Sequence, residues 1–384
     1  MKTKILLLLT AAFALFSSCI KDKTEETVKN YTEEEMAILS KTLNLPVTVD
    51  DYALQIPTYL GGGTVFADNK QATLGRVLFF DKKLSANESV SCASCHKPEA
   101  AFSDDVALSE GFEGKLTERN TLALGAFPSF NAYYGFAGGS RLFWDERAAN
   151  VMEQSEQTLK NPIEMGMDLS TLYDKLMQYD YYQVLFEKAF PYEFGYQRPE
   201  DKILIALQAF VNSIGIFRSD FDKQWEREGD FKRPFSNFTD QENMGKDLFM
   251  ANCASCHNLD RATATLVNVA NNGLDMEYSD LGVGGLSNNQ SEKGLFKVPM
   301  LRNVALTAPY MHDGRFQTLE EVVEHYSTGI KKYPTLHENL KSANGQPKNL
   351  NLSQEEKDAL VAFLKTLTDK EGVMQKRYSD PFKS

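Results

Sequence analysis

The pattern Cys-x-x-Cys-His occurs twice in this chain, as Cys92-Ala93-Ser94-Cys95-His96 and as Cys253-Ala254-Ser255-Cys256-His257. Two thiols three positions apart can each bond one vinyl group of a haem, and the adjoining histidine then reaches the iron as its proximal ligand. A redox dithiol or half of a zinc site would not require that histidine, and no thioredoxin-like strand and helix pattern surrounds either copy. The sequence therefore predicts two covalently bound haem c groups. Cys92, Cys95 and His96 hold one, and Cys253, Cys256 and His257 hold the other.

These four thiols leave one of the five cysteines, Cys19, to explain. Residues 1–18 read as a signal peptide, with Lys2 and Lys4 as a basic start, an apolar stretch over 5–16, and Phe16-Ser17-Ser18 before the cysteine. That ending resembles a bacterial lipobox, in which the cysteine becomes the acylated first residue. Covalent haem attachment is extracytoplasmic in bacteria, so both signals point to an exported lipoprotein facing the periplasm or cell surface. No other stretch is long and apolar enough to cross a bilayer. The formal net charge is −12, and removing residues 1–18 deletes two lysines and no acid. So acidic a surface argues against nucleic acid and suits a basic electron donor.

Helical signals dominate and strand-type alternation is scarce. Capping boxes open helices at Thr32, Thr239, Thr318 and Ser353, each with Glu or Gln three residues on. Further helices are expected over 142–159, 171–190 and 199–217, the last with Pro199 in its first turn. The stretch 100–139, rich in Gly, Ser, Asn and aromatics, reads as irregular backbone wrapped around haem, and 77–80 should pack beside the first haem. Residues 226–238 are polar and punctuated, as an interdomain linker would be. The expected fold is all-α, with two cytochrome c-like haem domains, long irregular loops and little strand. Its parts are a lipid-anchored tether and short helix (19–50), an N-terminal haem domain (51–225), the linker (226–238) and a C-terminal haem domain (239–384). The two motifs sit in no obvious tandem repeat.

Four segments carry a more specific likeness: Leu74-Gly75-Arg76-Val77-Leu78-Phe79-Phe80-Asp81, Phe143-Trp144-Asp145-Glu146-Arg147-Ala148, Asn161-Pro162-Ile163-Glu164-Met165-Gly166, and the run from Pro299 to Arg315. In this order the chain resembles the bacterial di-haem cytochrome c peroxidase/MauG superfamily. The resemblance implies that hydrogen peroxide is reduced to water at the His96 haem, with electrons from a cytochrome c or similar donor arriving through the His257 haem. It implies Trp144 as a relay between the haems, Glu164 as the catalytic carboxylate, twenty residues after Trp144, and Gln154 beside it. It also implies a calcium ion between the domains, with Asn120 and the carbonyls of Thr307 and Pro309 as ligands; hard oxygen donors suit that ion. A homodimer is compatible with it.

Three departures from the peroxidase pattern matter. The loop after the first motif carries Phe112 where many peroxidases have a ligating histidine, so the first haem is expected to be open without reductive activation. Fourteen residues after His312 stands Tyr326 instead of a methionine, as in MauG-like proteins. A phenolate is a hard donor that favours oxidised iron, and Met300 is the competing ligand. Thr158 replaces a proline near the first haem's distal face. The alternative to a peroxidase is a MauG-type reaction, in which a paired high-valent haem state oxidises residues of a partner protein. A non-catalytic electron-transfer module would fill both axial positions of both irons. His312 is expected to be structural or near the second haem, and His325 and His337 to be solvent-exposed.

Overall fold

A computed structural model describes residues 29–60, 62–125, 141–192, 198–257, 259 and 267–383. The signal segment, Cys19 and residues 126–140 lie outside these, so the expected leader and lipid site are not part of the description. Among the described residues the chain is helical, and its strands are two antiparallel two-residue pairs, Leu54–Gln55 with Thr64–Val65 and Val269–Ala270 with Phe296–Lys297. No helix among them is long and apolar enough to cross a membrane.

Two lobes repeat one construction. In the first, the Asn69–Phe80 helix crosses the Pro199–Asn212 helix. In the second, Asp240–Asn252 crosses Gln354–Lys365. Each crossing is set by a glycine: a Cβ on Gly75 would meet the Ala206 carbonyl oxygen at 1.9 Å, and one on Gly245 would meet that of Ala359 at 1.9 Å. One turn later, Phe79 packs on Phe210 and Phe249 on Phe363, each pair with ring centroids 5.2 Å apart. The matched segments read Gly-Arg-Val-Leu-Phe with Ala-Leu-Gln-Ala-Phe, and Gly-Lys-Asp-Leu-Phe with Ala-Leu-Val-Ala-Phe. The repeat is thus in the helices that flank the haem motifs and not in a tandem arrangement of the motifs.

All four capping boxes form: Thr32, Thr239, Thr318 and Ser353 each accept from the backbone N–H three residues on. Three expected helices are shorter than their periodicity suggested. The one expected over 142–159 begins only at Val151. Before it, Leu142 bridges Ala148, and Phe143 and Glu146 adopt left-handed φ values of 67° and 56°, which no helix accommodates. The 171–190 segment is two helices, Leu169–Leu176 and Asp180–Ala189. The Pro199 helix stops at Asn212.

Two further regions differ from expectation because aromatic burial overrides polar composition. The 226–238 stretch contributes Phe231, Phe235 and Phe238 to the second lobe's core, beside Phe221 and Phe363. Lys246 lies beneath them and donates to the Phe231 carbonyl at 2.8 Å. Tyr31, expected in the tether, is buried in the first core. The C-terminal segment also returns to that lobe, where Val373 and Tyr378 are buried and the Ser379 carbonyl accepts from Arg76 Nε at 2.7 Å.

Candidate functional site

The first Cys-x-x-Cys-His motif forms a single helical turn, Cys92–Cys95, which presents both thiols on one side. His96 follows as its cap, and its ring lies 6.4 Å from that of Phe79. His96 Nδ1 donates to the Phe102 carbonyl at 2.8 Å. Because a carbonyl only accepts, this bond fixes the proton on Nδ1 and leaves the Nε2 lone pair for a metal. The second motif follows the Asp240–Asn252 helix, and His257 Nδ1 donates to the Pro299 carbonyl at 3.0 Å. Burial pushes His257 down to about 4, against the pull of that hydrogen bond. Burial lowers His96 as well, and both imidazoles are oriented by a backbone carbonyl, as iron ligands are. Burial raises the Cys92 and Cys253 thiols, each to about 12. The histidine directly after each second cysteine, oriented by a carbonyl, is what suits these thiols to thioether linkage to haem.

Near the first motif, Glu164 sits in the turn after the Val151–Lys160 helix. Its Oε1 accepts from Asn161 Nδ2 at 2.7 Å. Burial raises its pKa, opposed by the Thr158 hydroxyl, the Arg147 charge and the Asn161 amide. Burial is the main cause of the raised Cys92 and Cys95 thiols, and the Glu164 charge is a smaller contribution to both. Gln154 lies one turn before Thr158 on the same helical face and lines the cavity between the lobes.

The loop that carries Phe112 in place of a histidine is bolted to the Glu164 turn. Phe112 N–H donates to the Glu164 carbonyl at 3.0 Å, and Asn87 Nδ2 donates to the Phe112 carbonyl at 2.5 Å. A Cβ on Gly166 would come within 2.4 Å of the Phe112 ring. The loop itself, 109–114, carries no histidine.

Trp144 joins the lobes. Its indole N–H donates to the Asn120 carbonyl at 2.8 Å, and its own carbonyl accepts from Lys297 N–H at 2.7 Å. Its ring meets His312 edge-on at 6.4 Å, and His312 stacks on Phe296 at 3.8 Å. Arg119 ties the same junction through Asp145 at 2.6 Å and Asp280 at 2.7 Å. Asn120, Thr307 and Pro309 all line the shared cavity with Trp144. Asn120 Nδ2 donates to the carbonyls of Val106 and Ala107 at 3.2 and 3.1 Å.

Tyr326 lines the same cavity with Cys253, Cys256 and His257. It lies in a π-helical turn, His325–Gly329, that continues the Leu319–Glu324 helix; such widened turns recur at functional sites. Burial pushes its phenol up to about 12, although the Asn272 side chain lowers it. His325 is buried and not exposed as expected, because its Nε2 bonds the Asn272 carbonyl at 3.0 Å. His337 is likewise not exposed. It is half-buried beside the second motif, and its Nδ1 accepts from Asn339 N–H at 3.2 Å. Met300 follows directly on the residue that bonds His257, and it packs on Leu54, Ile56 and Phe217.

Sequence reasoning missed Arg119, Asp280 and the cluster of Tyr59, Asp222 and Arg302. Each joins residues far apart in the chain, and no local pattern marks such pairs.

Comparison with known proteins agrees with this arrangement. Residues 69–230 match the model of the di-haem cytochrome c peroxidase family, and residues 243–368 match that of cytochrome c. The chain is 33% identical over 352 residues to the methylamine utilization protein MauG of Paracoccus denitrificans, covering 79% of this chain and 90% of that protein. It is 29% identical to a cytochrome c551 peroxidase of Nitrosomonas europaea, covering 77% and 79% of the two chains. Among solved structures, a MauG-like protein associated with microbial copper homeostasis superposes with a TM-score of 0.68 at 30% identity, over 88% of this chain and 98% of that one. With its two cytochrome c-like domains, each built around one haem motif, the chain belongs to the di-haem cytochrome c peroxidase family that includes MauG.

Proposed function

We propose that this protein is a di-haem peroxidase: hydrogen peroxide, two electrons and two protons give two molecules of water at the His96 site. Electrons reach it from a cytochrome c or similar donor through the His257 site. The observation that carries this reading is the half-buried Glu164 carboxyl near the first haem motif, packed against a loop that has Phe112 where a ligating histidine would stand. When bound, the two haems supply the peroxide-binding iron and the path for electrons.

The protein's own residues supply the rest. His96 and His257 are held by carbonyls with their Nε2 atoms free. Glu164 takes a proton from one peroxide oxygen and returns it to the other, the oxygen that leaves as water; its raised pKa suits both halves of that task. Gln154 and Thr158, on one helical face, orient the carboxyl and the bound peroxide. Trp144, bonded to both lobes, carries electrons between the sites. Tyr326, which shares the cavity with His257, would hold the second iron through its phenol oxygen. Met300 also lines that cavity but is packed on Leu54, Ile56 and Phe217, which favours Tyr326.

Three finer points belong to the same proposal. A calcium ion is bound by the Asn120 amide oxygen and the carbonyls of Thr307 and Pro309. The protein is exported, and Cys19 is lipidated after removal of residues 1–18. Residues 51–225 form most of the first haem domain and 239–384 most of the second, with the 226–238 stretch packed on the second. Steady-state consumption of peroxide with a reduced cytochrome c tests the function, and failure of every donor cytochrome to sustain turnover overturns it.

A further inference from the structure

Arg302 is buried at 9% exposure, and its guanidinium is satisfied on one side only. Nη2 donates to the Tyr59 hydroxyl at 2.9 Å and the Leu259 carbonyl at 3.5 Å, and it faces Asp222 Oδ1 at 3.3 Å. Nη1 is buried and has no hydrogen-bond partner among the described residues. Arg302 also lines the cavity that holds Cys253, His257 and Tyr326. A buried cationic donor without an acceptor is costly, so the position calls for an anion in that cavity.

Asp222 is not that anion, because its oxygens are already committed. Oδ2 accepts from the Ser219 backbone N–H at 2.9 Å and from its hydroxyl at 2.7 Å, while Oδ1 takes the Tyr59 hydroxyl as well as Arg302. Tyr59 is fixed in turn. Its ring meets Trp225 edge-on at 5.7 Å, and the neighbouring Thr58 donates from its backbone N–H and its hydroxyl to Glu226 at 3.3 and 3.2 Å. Nη2 is therefore held by a rigid brace, part of which comes from the N-terminal lobe, and Nη1 is the arm left without an acceptor among the described residues.

The anionic groups of a haem are its two propionate carboxylates, and a guanidinium fork matches a carboxylate. We propose that Arg302, braced by Tyr59 and Asp222, anchors a propionate of the haem attached at Cys253 and Cys256. This rests on the haem reading above. A positive charge held there opposes the oxidised, more positive iron, so Arg302 raises the reduction potential of the second haem and leaves the first unchanged.

The test is spectroelectrochemical titration of both haems in the purified holoprotein, with Arg302→Gln and Arg302→Lys variants and haem counted per chain. In Arg302→Gln the reduced-to-oxidised ratio of the second haem at a fixed solution potential should fall about tenfold, a midpoint ~59 mV lower for a one-electron couple, with the first haem unmoved. Arg302→Lys keeps the charge and loses the fork, and should fall between that variant and the native protein. If Arg302→Gln does not accumulate, Arg302→Lys decides alone. A second-haem potential unchanged in the variants that carry two haems overturns the anchor. A native protein with fewer than two haems would instead overturn the haem reading itself.

Discussion

Gly111 lies against Ile163 so closely that a Cβ on the glycine would stand 1.7 Å from the Ile163 carbonyl oxygen. The loop after the first haem motif and the turn that carries Glu164 are therefore one packed unit. A peroxidase whose loop swings a histidine on and off the iron needs that loop to move; here it buttresses the carboxyl.

Replacing Gly111 with alanine should force the two segments apart and displace Glu164. Overpacking of this kind costs ~1–3 kcal/mol. The variant should keep two haems and lose peroxide turnover more than thermal stability. Unchanged turnover would show that the loop does not support the carboxyl.

Glu164→Gln should lower peroxide turnover by about 10²–10⁴-fold, the usual contribution of general acid–base catalysis. Burial raises this carboxyl's pKa, so the charged form carries a cost above the folded pKa that is relieved as the pH falls through it. Activity should accordingly fall on the acid side at a pH above the ordinary carboxylate range, and that limb should vanish in the glutamine variant. A pH profile identical in both proteins would remove Glu164 from the proton path.

Tyr326→Met should raise the second haem's reduction potential, because a thioether favours reduced iron where a phenolate favours oxidised iron. Redox titration of native and variant proteins reads the shift directly. An unmoved potential would count against Tyr326 as a ligand.

Gly245→Ala should destabilise the second lobe, since the added methyl meets the backbone of the Gln354–Lys365 helix. Gly75→Ala should do the same in the first lobe. Thermal unfolding should show a loss of ~1–3 kcal/mol in each. A neutral result at either position would mean that the crossing relaxes at little cost.

Much of this was legible in the chain because the chemistry is local. A Cys-x-x-Cys-His motif needs only its own turn, and the capping boxes need four residues. The lobe repeat was legible in principle, in the shared Gly-x-x-x-Phe and Ala-Leu-x-Ala-Phe spacings, but it flanks the haem motifs at unequal distances and so escapes a search for tandem copies. The helix expected from residue 142 failed because its apolar spacing fits a helix while Phe143 and Glu146 sit at left-handed φ. His325 was misjudged because what buries it is the Asn272 carbonyl, distant in sequence. Arg302 was hidden for the same reason: Tyr59, Asp222 and Arg302 meet only when the fold is complete.

The most direct test of the account is electron paramagnetic resonance of the ferric protein. One high-spin iron with a vacant coordination position and one low-spin iron, the latter altered in Tyr326→Met, is the predicted result. Two low-spin irons that remain so when peroxide is added would contradict it.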